Sequence, residues 1–406
     1  MNSEMITSVP GFYAGAIHCG IKQSGKPDLA MLVSRAPAAA AAVFTTNKVV
    51  GAPVIVGRKH IRSGTISACI INSGCANVCT GRRGIQDAQE MCSLTSKVLT
   101  AKGIAMTPER VLPFSTGIIG HFLPMEKIRS GIVSLAEQIG NTIEHGVAFA
   151  NGILTTDLKP KTASTQFTIQ GKTITIAGCC KGSGMIAPNM ATMLAYVATD
   201  AAITTAALNR AVKQVTDQTF NCVTVDQHTS TSDTFAVLAN GLAGNSPIAA
   251  PTKPWQKFTQ ALYEICDSLA RQIAADGEGA TKLVCVHVTG AATQKDAYRA
   301  AMAIANSPLV KTAIHGGDPN WGRFVSAAGY SGAKMNPDRA SCNVGKITVF
   351  KNGRPTQTDL SQVEALMRGY EVHIHVNLGV SGKGICRVYT CDLSREYITI
   401  NADYHT

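Results

Sequence analysis

The apolar positions of this chain change period several times, and the changes predict its elements. Between residues 255 and 275, Phe258, Leu262, Ile265, Leu269 and Ile273 recur at steps of three and four, which predicts an amphipathic helix. It stops at Asp276-Gly277-Glu278-Gly279, so Glu278 falls on a helix-to-strand turn, where a carboxylate can face a pocket or only water. A strand is expected over 282–288. Short apolar runs predict buried strands at 29–33, 41–45 and 66–72, the last entering a polar turn at 73–77 and then a helix over 85–99. Residues 111–120 repeat the strand-to-bend pattern, with Thr116-Gly117 at the bend. Residues 193–198 read as a strand, Leu208, Val212 and Val215 as one helix face, and 371–376 and 397–401 as further strands. Strands dispersed among helices without strict alternation favour an α+β sandwich over a doubly wound parallel sheet.

The glycine-broken run Lys181-Gly-Ser-Gly-Met-Ile-Ala-Pro-Asn-Met-Ala-Thr192 lies just before the strand expected at 193–198. Local composition alone allows an ordinary surface loop here. It also allows self-cleavage of the Ala191–Thr192 bond, with Gly182, Gly184 and Pro188 supplying an irregular backbone. Such a cut would leave Thr192 with a free α-amine beside its own hydroxyl. That amine titrates near roughly 7.7–8.0, so one residue would hold both nucleophile and base at neutral pH.

Composition narrows the classes. At 406 residues the chain exceeds one usual core, so two lobes are expected. With 45% hydrophobic residues, 16% charged residues and 37 glycines it is globular and rich in turns. The formal charge of +11 is spread along the chain with no aromatic-interleaved basic stripe, which argues against nucleic acid. A basic surface also suits small carboxylate substrates. The 13 cysteines lack zinc-ligand spacing and read as reduced, buried apolar residues, so no metal is expected. The opening Met1-Asn-Ser-Glu-Met has no basic patch before an apolar run, and the apolar segment 38–44 is too short to span a bilayer. No membrane association is expected, and the expected location is cytoplasmic. The glycine-rich segment 379–384 lacks phosphate-loop spacing and reads as a turn.

Several motifs, taken in order, resemble one family. They are Gly11-Phe12 through Phe44-Thr-Thr-Asn47, Asn72-Ser-Gly74, Ser115-Thr-Gly-Ile-Ile-Gly120, Leu154-Thr-Thr-Asp157 and the 181–194 run. Gly277-Glu-Gly-Ala-Thr-Lys-Leu283, Asp318-Pro-Asn-Trp-Gly-Arg323 and the ending 390–406 complete the set. Together they resemble the ornithine acetyltransferases of arginine biosynthesis, many of which are also N-acetylglutamate synthases. The resemblance implies a layered sandwich of the N-terminal-nucleophile type with mixed sheets and two lobes. It implies a cut at Ala191–Thr192 into chains 1–191, carrying the oxyanion-hole residues, and 192–406, beginning with the nucleophile. It further implies a heterotetramer of two copies of each.

By the same resemblance Thr192 is the nucleophile, and Thr116 and Gly117 form the oxyanion hole. Thr155, Lys181, Thr192, Glu278, Asn401 and Thr406 contact substrate. The implied reaction carries acetyl from N-acetyl-L-ornithine to L-glutamate through acetyl-Thr192, with no cofactor and with acetyl-CoA as a further acetyl donor. An N-terminal-nucleophile aminopeptidase or amidase, in which water replaces glutamate, is the alternative. Asp318 and Arg323 read as loop braces. Cys75, Gln227-His228 and His405 depart from the family pattern; they bear on substrate tuning and subunit contacts, and Cys75 reads as packing.

Overall fold

The computed structural model describes residues 5–187 and 193–403. Two sheets organise it. The larger contains β1 (Phe12–Ile17), β2 (Leu29–Phe44), β3 (Thr65–Cys75), β4 (Val111–Ile118), β5 (Lys161–Ile169), β6 (Lys172–Lys181), β7 (Leu194–Thr199) and β8 (Thr234–Ala239). Its order is β4-β3-β2-β8-β7-β6-β5, with β1 on β2. The β3–β4 and β7–β8 pairs are parallel and the rest antiparallel, so the sheet is mixed. Strands from both sides of residues 191–192 pair within it.

The smaller sheet contains β9 (Leu283–Ala291), β10 (Ser341–Val344), β11 (Ile347–Lys351), β12 (Arg354–Pro355), β13 (Glu371–Asn377) and β14 (Gly384–Cys391), ordered β12-β11-β10-β13-β9-β14. The helices are α1 (Ala52–His60), α2 (Gly81–Ala101), α3 (Met125–Gln138), α4 (Ile143–Gly152), α5 (Thr205–Gln218), α6 (Lys253–Ala275), α7 (Gln294–Asn306), α8 (Pro308–Gly316), α9 (Trp321–Tyr330), α10 (Leu360–Met367) and α11 (Arg395–Asp403).

The period-two pattern of β7 and β8 divides two cores. Leu194, Tyr196, Ala198, Ala236 and Leu238 face one that includes Phe149 of α4, while Ala195, Val197, Phe235 and Val237 face another with α5 and α6. The apolar stripe of α6 fills this second core together with Leu283, Cys285, Tyr389 and Cys391 of the smaller sheet. One helix thus joins the lobes. Thr252 caps it, accepting from the Trp255 N–H, and Pro254 sits in the first turn. The far face of the smaller sheet packs on α7, α9 and α10. The result is the expected layered α+β fold with mixed sheets and two lobes.

Three local expectations need correction. The strands expected at 29–33 and 41–45 are one strand, β2, whose first part pairs with β1 and β3 and whose second part pairs with β8. Pro37 lies where its register on β3 shifts, which is why the pattern broke there. The turn expected at 73–77 starts later, because β3 runs to Cys75 beside β4. Residues 397–401 are helical, within α11. The Ser394 hydroxyl accepts the Tyr397 N–H at the start of this helix and Asn401 donates to the Tyr397 carbonyl, while no α11 side chain is buried. The β-branched run Ile398-Thr-Ile400 suits a strand, but β-propensity yields to context, and here the segment is helical. The 13 cysteines are free thiols, all buried except Cys19 and Cys79. Among the described residues no helix is long and apolar enough to cross a membrane.

Candidate active site

The parallel ends of β3 and β4 bring Gly74 opposite Gly117. Gly117 has φ +126°, and a Cβ there would collide with the Gly74 carbonyl carbon, so only glycine fits. Thr116 is 9% exposed, and its hydroxyl makes no hydrogen bond to another described residue. Buried polar side chains brace the strand ends. The Ser115 hydroxyl donates to Asn72 Oδ1 (2.6 Å), Asn72 Nδ2 to the Cys75 carbonyl (2.8 Å) and the Ser73 hydroxyl to the Gly152 carbonyl (2.7 Å). Cys75 is packing: its thiol is buried against the His121 carbonyl, and burial raises its pKa.

The loop over Gly74 is gathered by Asp28, whose carboxylate accepts the N–H groups of Cys19, Gly20, Ile21 and Lys22 at 2.7–3.2 Å. Burial works against its charge, but these donors prevail and hold its pKa low. The loop places Lys22 beside Gly74, with Nζ donating to the carbonyls of Pro27 (2.7 Å) and Leu154 (2.8 Å). Burial lowers the Lys22 pKa to about 8 against the attraction of Asp28, and Lys181 and Asp157 lie within electrostatic range.

At the end of β6, Lys181 is buried, and burial lowers its pKa despite nearby Asp157, Asp233 and Glu278. Its ammonium donates to no described residue. Next to it lies a dry ionic triad. Lys161 Nζ donates to Asp157 Oδ1 and Asp276 Oδ2, both at 2.6 Å. Asp157 also accepts the Gly182 N–H (2.6 Å) and the Thr155 N–H (3.1 Å), so Thr155 is held through its backbone while its hydroxyl meets no described partner. Burial would raise the Asp157 pKa, but Lys181, Lys161 and the Gly182 N–H bring it down to about 2.

The turn after α6 does aim Glu278 inward. It is 8% exposed, its N–H donates to the Ser183 carbonyl (3.0 Å), and a Cβ on Gly184 would overlap its carboxylate. Asn401 of α11 donates to Glu278 Oε2 at 3.0 Å. Further along the run, Met185 adopts φ +56°, held there by Asp226, which accepts the N–H groups of Met185 (2.6 Å) and Ile186 (2.8 Å). A non-glycine residue in this conformation stores strain a few residues before Thr192. Ala191, Thr192 and Thr406 lie outside the described residues, as does His405. The chain resumes at Met193, whose carbonyl accepts the Thr234 N–H (3.1 Å).

Of the motif residues, Lys181, Glu278 and Asn401 therefore surround the 182–187 segment, and Thr155 is tied to it through Asp157, while Thr116-Gly117 lie at the β3–β4 ends, where Lys22 packs beside Gly74. Asp318 and Arg323 lie elsewhere: Arg323 donates to the Leu309 carbonyl (2.9 Å), a loop brace. Gln227, at φ +67°, donates to the Asn306 carbonyl (2.8 Å), while the His228 N–H donates to Asp226 (3.2 Å). Lys22, Lys161 and Asp276 escaped the sequence reading. Each has a partner far away in sequence: Lys161 and Asp276 are 115 residues apart, and Lys22 and Leu154 are 132 apart.

The ArgJ family model matches residues 13–406. The arginine biosynthesis bifunctional protein ArgJ of Geobacillus kaustophilus is 44% identical over 402 residues, covering 99% of this chain and 96% of that protein. The protein of the same name from Geobacter sulfurreducens is 46% identical over 400 residues, covering 98% and 100%. Among solved structures, ArgJ from Bacillus halodurans is 43% identical with a TM-score of 0.49, covering 50% of this chain and 96% of that one. An ornithine acetyltransferase from Mycobacterium tuberculosis, complexed with ornithine, is 32% identical with a TM-score of 0.42, covering 46% and 96%. Matches of this length and identity leave one conclusion: the chain belongs to the ArgJ family and is an acyltransferase of arginine biosynthesis.

Proposed function

We propose that the chain cuts itself at Ala191–Thr192 and then transfers acetyl from N-acetyl-L-ornithine to L-glutamate by a ping-pong route through acetyl-Thr192. The observation that carries this reading is the gathering of Lys181, Glu278 and Asn401 around the segment leading to Thr192. A carboxylate and an ammonium can both be bound there. In the first half-reaction the Thr192 hydroxyl attacks the acetyl carbonyl while its α-amine takes the proton. The Gly117 N–H and the Thr116 hydroxyl receive the oxyanion; the unengaged hydroxyl and the glycine-only backbone suit that task. The ornithine amine leaves with a proton from the Thr192 amine, and the glutamate amine then attacks the ester.

Lys181 pairs the substrate carboxylate. Burial lowers its pKa, and an arriving carboxylate would raise it again by favouring the charged form. Glu278, held by Asn401, pairs the side-chain ammonium of ornithine. Thr155 and Thr406 orient the substrate. Acetyl-CoA serves as a second acetyl donor, and no cofactor takes part. The mature protein is a cytoplasmic heterotetramer of two 1–191 and two 192–406 chains.

The test is intact-mass measurement of the wild type and Thr192→Ala, followed by assays with N-acetylornithine plus glutamate and with acetyl-CoA plus glutamate. Two fragments from the wild type, an uncut inactive variant, and N-acetylglutamate as product are expected. A single uncut wild-type mass with full transfer activity overturns the reading, and free acetate in place of N-acetylglutamate turns it into an amidase.

A further inference from the structure

The glycine-rich segment 379–384 has no part in the transfer scheme, yet it closes one side of a cavity. It is the turn between β13 and β14. The strand β9 starts at Leu283, soon after Glu278, and the turn meets its far end, where the Leu378 N–H donates to the Thr289 carbonyl (3.0 Å) and the Val380 N–H to the Gly290 carbonyl (3.1 Å). Roughly 20 Å of strand separates the two ends, at ~3.3 Å per residue.

Close approach explains the glycines. A Cβ on Gly379, which has φ +71°, would lie 2.7 Å from the Arg339 carbonyl carbon, and one on Gly382 would lie 2.1 Å from the Ala291 carbonyl oxygen. The first contact seats the turn on the segment before β10 and so brings Arg339 to it, where the guanidinium donates to the Ser381 hydroxyl (3.0 Å). Asn377 fixes the other side, accepting the Gly379 N–H (2.8 Å) and donating to the Thr289 hydroxyl (3.3 Å).

Between these parts lies an open cavity of about 390 Å³, whose lining includes Thr289, Arg339, Asn377, Ser381, Gly382 and Lys383 and contains no carboxylate. Its donors are in excess. Lys383 Nζ and the Nε and Nη1 of Arg339 have no hydrogen-bond partner among the described residues, and neither have the backbone N–H groups of Ser381, Gly382 and Lys383. Ser381 adopts φ +59°, and a left-handed residue within a turn is a setting in which successive N–H groups form an anion-binding concavity. These donors outnumber the roughly four lone-pair sites of a carboxylate and suit a phosphate group, with its third oxygen, better. The volume lies in the range of small-molecule sites, about 300–1,000 Å³, which leaves room for an organic body beside the anionic group. Ile385, 52% exposed, supplies an apolar wall for it.

We infer that this cavity is a binding site for a small phosphate-bearing anion, at the end of the smaller sheet opposite Glu278. Arg339 and Lys383 pair the phosphate, and the N–H groups of 381–383 complete its shell.

The test is isothermal titration calorimetry of the purified wild type and the Arg339→Gln/Lys383→Gln double variant with inorganic phosphate, phenyl phosphate and acetate at matched ionic strength. Both side chains are exposed, so the double variant should melt with the wild type. Saturable phosphate binding, weakened at least tenfold in the double variant, is expected, with acetate binding at least tenfold more weakly than phosphate. Tighter binding of phenyl phosphate assigns the cavity to phosphate esters, and tighter binding of inorganic phosphate to the free ion. No saturable binding of either phosphate, equal affinity in wild type and double variant, or acetate binding as tightly as phosphate overturns the inference. Should the double variant unfold, Lys383→Gln, which breaks no hydrogen bond, decides by the same comparison.

Discussion

Two groups of buried charge flank the end of β6, and they differ in how completely they are paired. In the first, Lys161 sits between Asp157 and Asp276, and backbone donors fill much of what remains on the two carboxylates. In the second, Lys181 and Asp233 are as deeply buried, yet neither the Lys181 ammonium nor the Asp233 Oδ2 has a hydrogen-bond partner among the described residues. Burial of charge is costly in both. The closed group is satisfied within the protein and ties the 155–161 segment to the end of α6. The open group is, among the described residues, the one with capacity for a substrate carboxylate, as the proposed function requires of Lys181. Pairing, more than burial, separates structural charge from functional charge here.

The largest expected effect breaks the closed group. Lys161→Met leaves two buried carboxylates without their cation and should destabilise the fold by about 3–5 kcal/mol in denaturant titration. Lys181→Met, which removes a cation of the open group, should cost clearly less, because Asp157 keeps its hydrogen bonds to Lys161 and Gly182. Equal losses from the two substitutions would erase the distinction.

Next in size is Thr116→Val, which removes one oxyanion donor at nearly constant shape. A loss of about a hundredfold in kcat, close to 3 kcal/mol, is expected with KM and stability little changed. A fall in stability instead would make Thr116 a packing residue.

Acid should open the closed group first. The Asp157 pKa is lowered from 3.8 to about 2 in the fold. A depressed carboxyl stabilises the fold above its unfolded pKa and loses that contribution as pH falls through the folded one. About 2 kcal/mol should therefore be lost between roughly pH 4 and pH 2. Asp157→Asn should flatten this part of the stability curve. An unchanged slope would mean that the triad is not the acid-sensitive element.

The closed group was the part least legible in the sequence, and the reason is physical. Lys161 and Asp276 meet because α6 spans both lobes, and no local spacing announces a contact 115 residues long. Lys22 was equally hidden, since it is aimed by a loop that Asp28 gathers through backbone N–H groups, which every residue possesses. What could be read locally was read. The three-and-four spacing of α6 gave its length to within two residues at the start, and Gly117 marked a backbone only glycine adopts. Residues 397–401 failed because β-branched residues record only a weak local preference, and the segment folded as the exposed helix α11 instead.

For the open group, Lys181→Met should raise KM for glutamate and N-acetylornithine about tenfold, roughly 1.4 kcal/mol, with kcat less affected. That split is the signature of a group binding the carboxylate in ground and transition states alike. A fall confined to kcat would assign Lys181 to the chemical step instead.

The smallest effect belongs to the exposed rim. Asn401 sits on α11, none of whose side chains is buried, and its contact with the cluster is the hydrogen bond to Glu278. Asn401→Ala should leave melting unchanged, because an exposed side chain on a surface helix contributes little to the core. Glu278 would keep its charge and its backbone tie to Ser183 but lose one fixed orientation. A rise in KM for N-acetylornithine of about threefold is expected, below 1 kcal/mol, and greater for ornithine-type substrates than for glutamate. Equal rises for both substrates would mean that Asn401 touches a group they share, and would move α11 from the ammonium end of the site to its carboxylate end.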